Sequence, residues 1–134
     1  MVLKVGVIGC GLMGRLHART LAGLPGVEVT ALQNRTFETA EKLAEEVGGR
    51  VFRDVAELLN SDVDAVWVCT PDFAHVEPAL AVLEAGKHLF LEKTLATTLE
   101  DGRTILRAAE SHPELKVLVL QREFMPLETP AFGV

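Results

Sequence analysis

Leu3-Lys4-Val5-Gly6-Val7-Ile8-Gly9-Cys10-Gly11-Leu12-Met13-Gly14 opens on a short run rich in β-branched side chains and ends on three glycines spaced G-x-G-x-x-G. Leu3–Ile8 reads as a strand. Leu12–Leu24 reads as a helix with Met13, Leu16, Leu21 and Leu24 roughly on one face, stopped by Pro25-Gly26. The glycine spacing alone carries little weight; set between a strand and a helix it has a physical meaning. Gly9 permits the tight turn, Gly11 lets backbone approach a pyrophosphate, and Gly14 lets the helix pack close to the strand. The free N–H groups at the start of the helix, at Leu12 and Met13, present partial positive charge to an anion.

Working outward, β-branched runs keep alternating with helical periods. Val27–Gln33 is a second strand. Thr36 reads as the N-cap of a helix that buries Phe37, Ala40, Ala44 and Val47 and ends at Gly48-Gly49. A brief strand at Arg50–Phe52 leads to Asp54 which, with Glu57 three residues on, caps a short helix ending near Asn60. Ala65–Cys69 is almost continuously apolar, as in a parallel strand covered on both faces. Ala74–Ala85 reads as a helix with Val76, Ala79, Leu80 and Leu83 aligned, and His88–Leu91 as a strand. Thr98 and Asp101 open a helix to about Ser111, and Lys116–Leu120 is a sixth strand. This alternation predicts an α/β fold, a doubly wound parallel sheet of about six strands of Rossmann type. Ligands of such sheets lie beyond the carboxyl ends of the strands, so residues 9–14, 33–36, 69–75 and 92–94 should converge.

The 134 residues suit one domain, expected over 1–122, with 123–134 as an aperiodic tail holding Pro126, Pro130 and Gly133. With 49% hydrophobic and 24% charged residues a core is available, and no apolar run approaches the ~20 residues of a membrane helix. A cytoplasmic protein is the default expectation. A net charge of −6 without a basic stripe argues against nucleic-acid binding. Cys10 and Cys69 are too few for a disulfide framework or a zinc site, and read as buried packing near each other; no metal is expected. A dinucleotide site of the NAD type usually places an acid ≈ 20 residues past the glycines. Here the positions are Gln33, Asn34, Arg35 and Thr36, with no carboxylate. Arg35 suits the extra phosphate of NADP, which leans the reading towards NADP. Otherwise Arg35 is a solvated loop arginine and Asn34 bonds the ribose of either cofactor.

Three segments resemble the N-terminal domain of the glucose–fructose oxidoreductase and inositol dehydrogenase family. They are VGVIGCGLMGRLHARTL (5–21), VWVCTPDFAHVEPALAVLEAGKHLFLEKTLATTLED (66–101) and QREFMP (121–126). The block from Cys69 to Leu95 is the specific part. The resemblance implies hydride transfer between NADP or NAD and a sugar- or polyol-like substrate. It places Thr70 and Pro71 near the pyrophosphate and nicotinamide ribose, and His75 beside the nicotinamide end. Glu92 would hydrogen-bond the nicotinamide ribose, and Lys93 would be the catalytic acid–base group. It also implies a second domain, which the 134 residues lack; a six-stranded domain without that partner would expose an apolar sheet edge or face, so a homo-oligomer is expected.

Thr94 stands where the family has a proline, the residue that makes a preceding cis bond tolerable, so the aim of Lys93 is open. The alternative is a nucleotide-binding module or truncated fragment without catalysis. Among the other histidines, His17 and His88 are expected to be structural, and His112 to lie in an exposed turn.

Overall fold

The computed structural model describes residues 1–120, so the expected tail lies outside the described residues. Six parallel strands alternate with helices: β1 (Leu3–Ile8), α1 (Leu12–Ala22), β2 (Val27–Gln33), α2 (Phe37–Val47), β3 (Arg50–Phe52), α3 (Val55–Leu59), β4 (Ala65–Val68), α4 (Val76–Glu84), β5 (His88–Leu91), α5 (Leu99–Glu110) and β6 (Val117–Val119). The sheet order is β3-β2-β1-β4-β5-β6, the doubly wound order in which the chain reverses direction between β1 and β4. No helix among the described residues is long and apolar enough to cross a membrane.

Strand alternation sends side chains to two separate cores. Val5, Val7, Val29, Leu32 and Ala65 meet Ala18 and Leu21 of α1 and Ala40 and Leu43 of α2 on one face. Ile8, Ala31, Val66, Val68, Leu89 and Leu91 meet α3, α4 and α5 on the other. Val29 and Leu32 share a face although three residues apart. The pairing with β1 slips between Val5 and Gly6, so that Val5 opposes Val29 while Gly6 opposes Ala31. The extra residue, Thr30, resets the phase of β2, as a bulge does.

The buried stripe of α1 differs from the expected one. Gly14, Ala18 and Leu21 face the sheet, whereas Leu16 and Leu24 are exposed. Small residues at this spacing let the helix lie close to β1, and the larger leucines fall on its flank. In α2 the buried residues are Ala40 and Leu43, with Ala44 and Val47 at the border. Phe37 instead lies under the Arg53 guanidinium, 4.0 Å from its ring centre. Thr36 takes the N-cap position of α2 but its side chain makes no capping bond. Asp54 and Thr98 do cap, accepting from the N–H groups of Glu57 and Asp101. The helix expected from Ala74 begins at Val76, because a 3-10 turn (Asp72–Ala74) follows Pro71.

Candidate active-site cleft

The strand exits are tied level by backbone bonds. Gly9 N–H donates to Gln33, Cys69 N–H to Ile8, and Glu92 N–H to Val68, at 2.7–2.9 Å. The loops after β1, β2, β4 and β5 therefore open on one cleft of about 1170 Å³, at the point where the sheet order reverses. Ligands of doubly wound sheets bind at this place.

Gly9 has φ +93°, and a Cβ there would lie 2.7 Å from the Cys69 carbonyl. A Cβ on Gly14 would be driven into the Gly9 carbonyl oxygen. These two glycines are required by the protein's own packing. Gly11 is different, since a Cβ there would meet nothing within 4 Å, and the residue lines the cleft. The first turn of α1 holds no acid and no side chain caps it. Open space over Gly11 and free N–H groups suit a pyrophosphate, so the residues present fit a dinucleotide.

Asn34 ties the loops together: its Oδ1 accepts from Cys10 N–H at 2.8 Å and its Nδ2 donates to the Thr36 carbonyl at 3.0 Å. Arg35 is exposed at the cleft, and no ion pair among the described residues involves it. The end of β2 thus presents a cation and no carboxylate.

Of the residues expected at the site, Gly9, Gly11, Leu12, Met13, Asn34, Arg35, Thr70, Pro71, Glu92 and Lys93 line the cleft. Gly14, Thr36 and His75 do not. Gly14 lies beneath, against Gly9, and Thr36 faces solvent. His75 is fully buried; its Nε2 bonds the Thr70 carbonyl at 3.0 Å, while Nδ1 has no partner. The cleft also contains residues not singled out from sequence, among them the exposed Phe73 on the 3-10 turn and Asp101 on α5. Phe73 falls within the 69–75 loop expected at the cleft, whereas nothing in the sequence around Asp101 places α5 there.

Glu92 and His75 are the two buried polar residues among the described residues. The Glu92 carboxylate accepts from His17 Nε2 through one oxygen and from Lys93 N–H through the other, both at 2.8 Å. The partner of Glu92 is thus His17, 75 residues away, and not the Lys93 ammonium, which is exposed at the cleft. His88 is structural as expected, its Nδ1 accepting from Lys116 N–H. The Lys93–Thr94 peptide bond is cis. Burial pushes the Cys10 thiol up to about 11. Cys69 rises to about 12 through burial first, then through the negative charges of Glu92 and Cys10. Neither thiol is a nucleophile at neutral pH.

Comparison with known proteins agrees with this geometry. Residues 3–120 match the model of an oxidoreductase family with an NAD-binding Rossmann fold. The chain is 39% identical over 121 residues to inositol 2-dehydrogenase 3 of Saccharopolyspora erythraea, covering 89% of this chain and 36% of that one. It superposes with a TM-score of 0.84 and 37% identity on myo-inositol dehydrogenase from Lactobacillus casei, solved with NAD(H) and myo-inositol; the match covers 89% of this chain and 36% of that one. With KijD10, a 3-ketoreductase from Actinomadura kijaniata solved with NADP, the TM-score is 0.81 and the identity 33%, over 89% and 38% of the two chains. The chain therefore spans little more than a third of the length of these relatives.

Proposed function

Because the chain belongs to the oxidoreductase family with an NAD-binding Rossmann fold, we propose that it holds NADP or NAD along the cleft of an enzyme acting on a sugar- or polyol-like substrate. The observation that carries this is the convergence of the glycine loop, Arg35 and the Glu92-Lys93 pair on one cleft at the reversal of the sheet. When bound, the nicotinamide accepts or supplies the hydride.

The chain's own residues divide the remaining work. The N–H groups at Leu12 and Met13 face the pyrophosphate above Gly11. Asn34 and Arg35 would flank the adenosine ribose, and an arginine without a nearby acid favours the extra phosphate of NADP. Thr70 and Pro71 line the middle of the cofactor, with His75 packed behind them. Glu92 and Lys93 stand at the nicotinamide end. The Lys93 ammonium, exposed and clear of Glu92, can give a proton to a substrate oxygen or take one back as hydride moves. The polyol class rests on relatives named inositol dehydrogenases. Cys10 and Cys69 are free thiols, which suits a reducing setting such as the cytoplasm. The exposed Leu99, Leu106 and Leu118 suit a further domain or a second copy.

Calorimetric titration with NADPH and with NADH tests the reading. Binding of NADPH about tenfold tighter, worth ~1.4 kcal/mol, is expected. A preference for NADH would remove the role given to Arg35, and failure to bind either would remove the cofactor reading.

A further inference from the structure

We propose that His17 is a positioning residue for Lys93, acting through Glu92. The inference rests on the reading of Lys93 as the acid–base group.

Glu92 leaves the end of β5 on the same face as Phe90, towards α1. Its side chain is 7% exposed, and a carboxylate so placed must be given donors. It has two. One oxygen takes His17 Nε2–H from α1, and the other takes the Lys93 backbone N–H, each at 2.8 Å. An ionised carboxylate only accepts, so the imidazole carries its proton on Nε2 whether it is neutral or charged. The imidazole lies 6.0 Å from the Phe90 ring at an angle of 60°, and Phe90 stacks on Trp67 at 4.5 Å.

The arrangement does two things for the lysine. It fixes the Lys93 main chain to α1, the helix whose N-terminus faces the same cleft. It also occupies the carboxylate that would otherwise pair with the Lys93 ammonium one residue away. No ion pair joins the Glu92 and Lys93 side chains among the described residues. His17 thus keeps the ammonium free for substrate while touching neither substrate nor cofactor.

The full chain carrying His17→Phe, which keeps a ring without a donor, and His17→Gln, which keeps a donor, separates this role from simple packing. Two quantities are read: hydrogen exchange at the Lys93 amide, and the rate at which acetic anhydride acylates the Lys93 amine relative to other lysines. His17→Phe should speed the exchange at least tenfold and slow the acylation at least threefold. His17→Gln should restore both to within twofold of the parent chain, with circular dichroism unchanged. Parent values in folded His17→Phe, or no rescue in folded His17→Gln, would overturn the proposal. If His17→Phe does not fold, nitrogen NMR of the His17 ring in the parent chain still decides. Protonated Nε2 supports the proposal, and unprotonated Nε2 at neutral pH overturns it. Titration with NADPH and NADH reports separately on the cofactor reading, so the two can fail independently.

Discussion

A methyl group on Gly14 would enter the space of the Gly9 carbonyl, whereas one on Gly11 would project into the open cleft. The two glycines of one motif therefore answer to different constraints. Gly14→Ala should lower the stability of the chain by about 2 kcal/mol or more, since a backbone carbonyl cannot give way as a side chain can. Gly11→Ala should change stability by less than about 1 kcal/mol yet weaken dinucleotide binding about tenfold, ~1.4 kcal/mol. Urea unfolding and calorimetric titration of both variants check this contrast. At the far end of the cleft, Arg35→Ala should weaken NADPH about tenfold and leave NADH unchanged. Equal effects on the two cofactors would show Arg35 to be a solvated loop residue.

Elements are held by features of unequal legibility. Thr98 accepts the Asp101 N–H at 3.1 Å and opens α5, so Thr98→Ala should cost about 1 kcal/mol by urea unfolding. That cap was readable because its spacing is local. The six strands and the glycine turn were readable for the same reason, each being a short pattern with its own period. The stripe of α1 was misread because hydrophobicity weights Leu16 and Leu24 above Gly14 and Ala18. Close packing on β1 needs the small residues inside and leaves the leucines outside. The bulge at Thr30 left no trace in composition, since it is a property of the pairing between two strands and not of either alone. Within the cleft, the loops that converge were legible from the strand order. The bond from His17 to Glu92 was not, because 75 residues separate the partners and nothing in either neighbourhood names the other. Resemblance marked Glu92 and Lys93, but the carboxylate's partner is on α1.

For the molecule as a whole, the buried Cys10 and half-buried Cys69 thiols make stability sensitive to alkali. Folding raises Cys10 from near 9 to about 11 and Cys69 from near 9 to about 12. The folded state then binds protons that the unfolded chain has already released, so the thiols' contribution is complete below about pH 9 and is lost as pH climbs through the folded values. The urea midpoint should fall above pH 9, and Cys69→Ala should flatten that fall; an unchanged slope in the variant would exclude the thiol as its source. The order of the strands carries a consequence of another kind. β1 lies at the centre of the sheet, with Val5 and Val7 wholly buried. On one side it pairs with β2, and on the other with β4; Asp64, just before β4, accepts from the Lys4 N–H across 60 residues of chain. A ribosome adding ~5–20 residues per second needs roughly 3–12 s to cross that interval. Throughout it, a strand whose Val5 and Val7 belong to the core is a half-zipped edge. β1 is thus made well before its second partner, and the interval is one in which a chaperone, or a second nascent chain, has an open strand to meet.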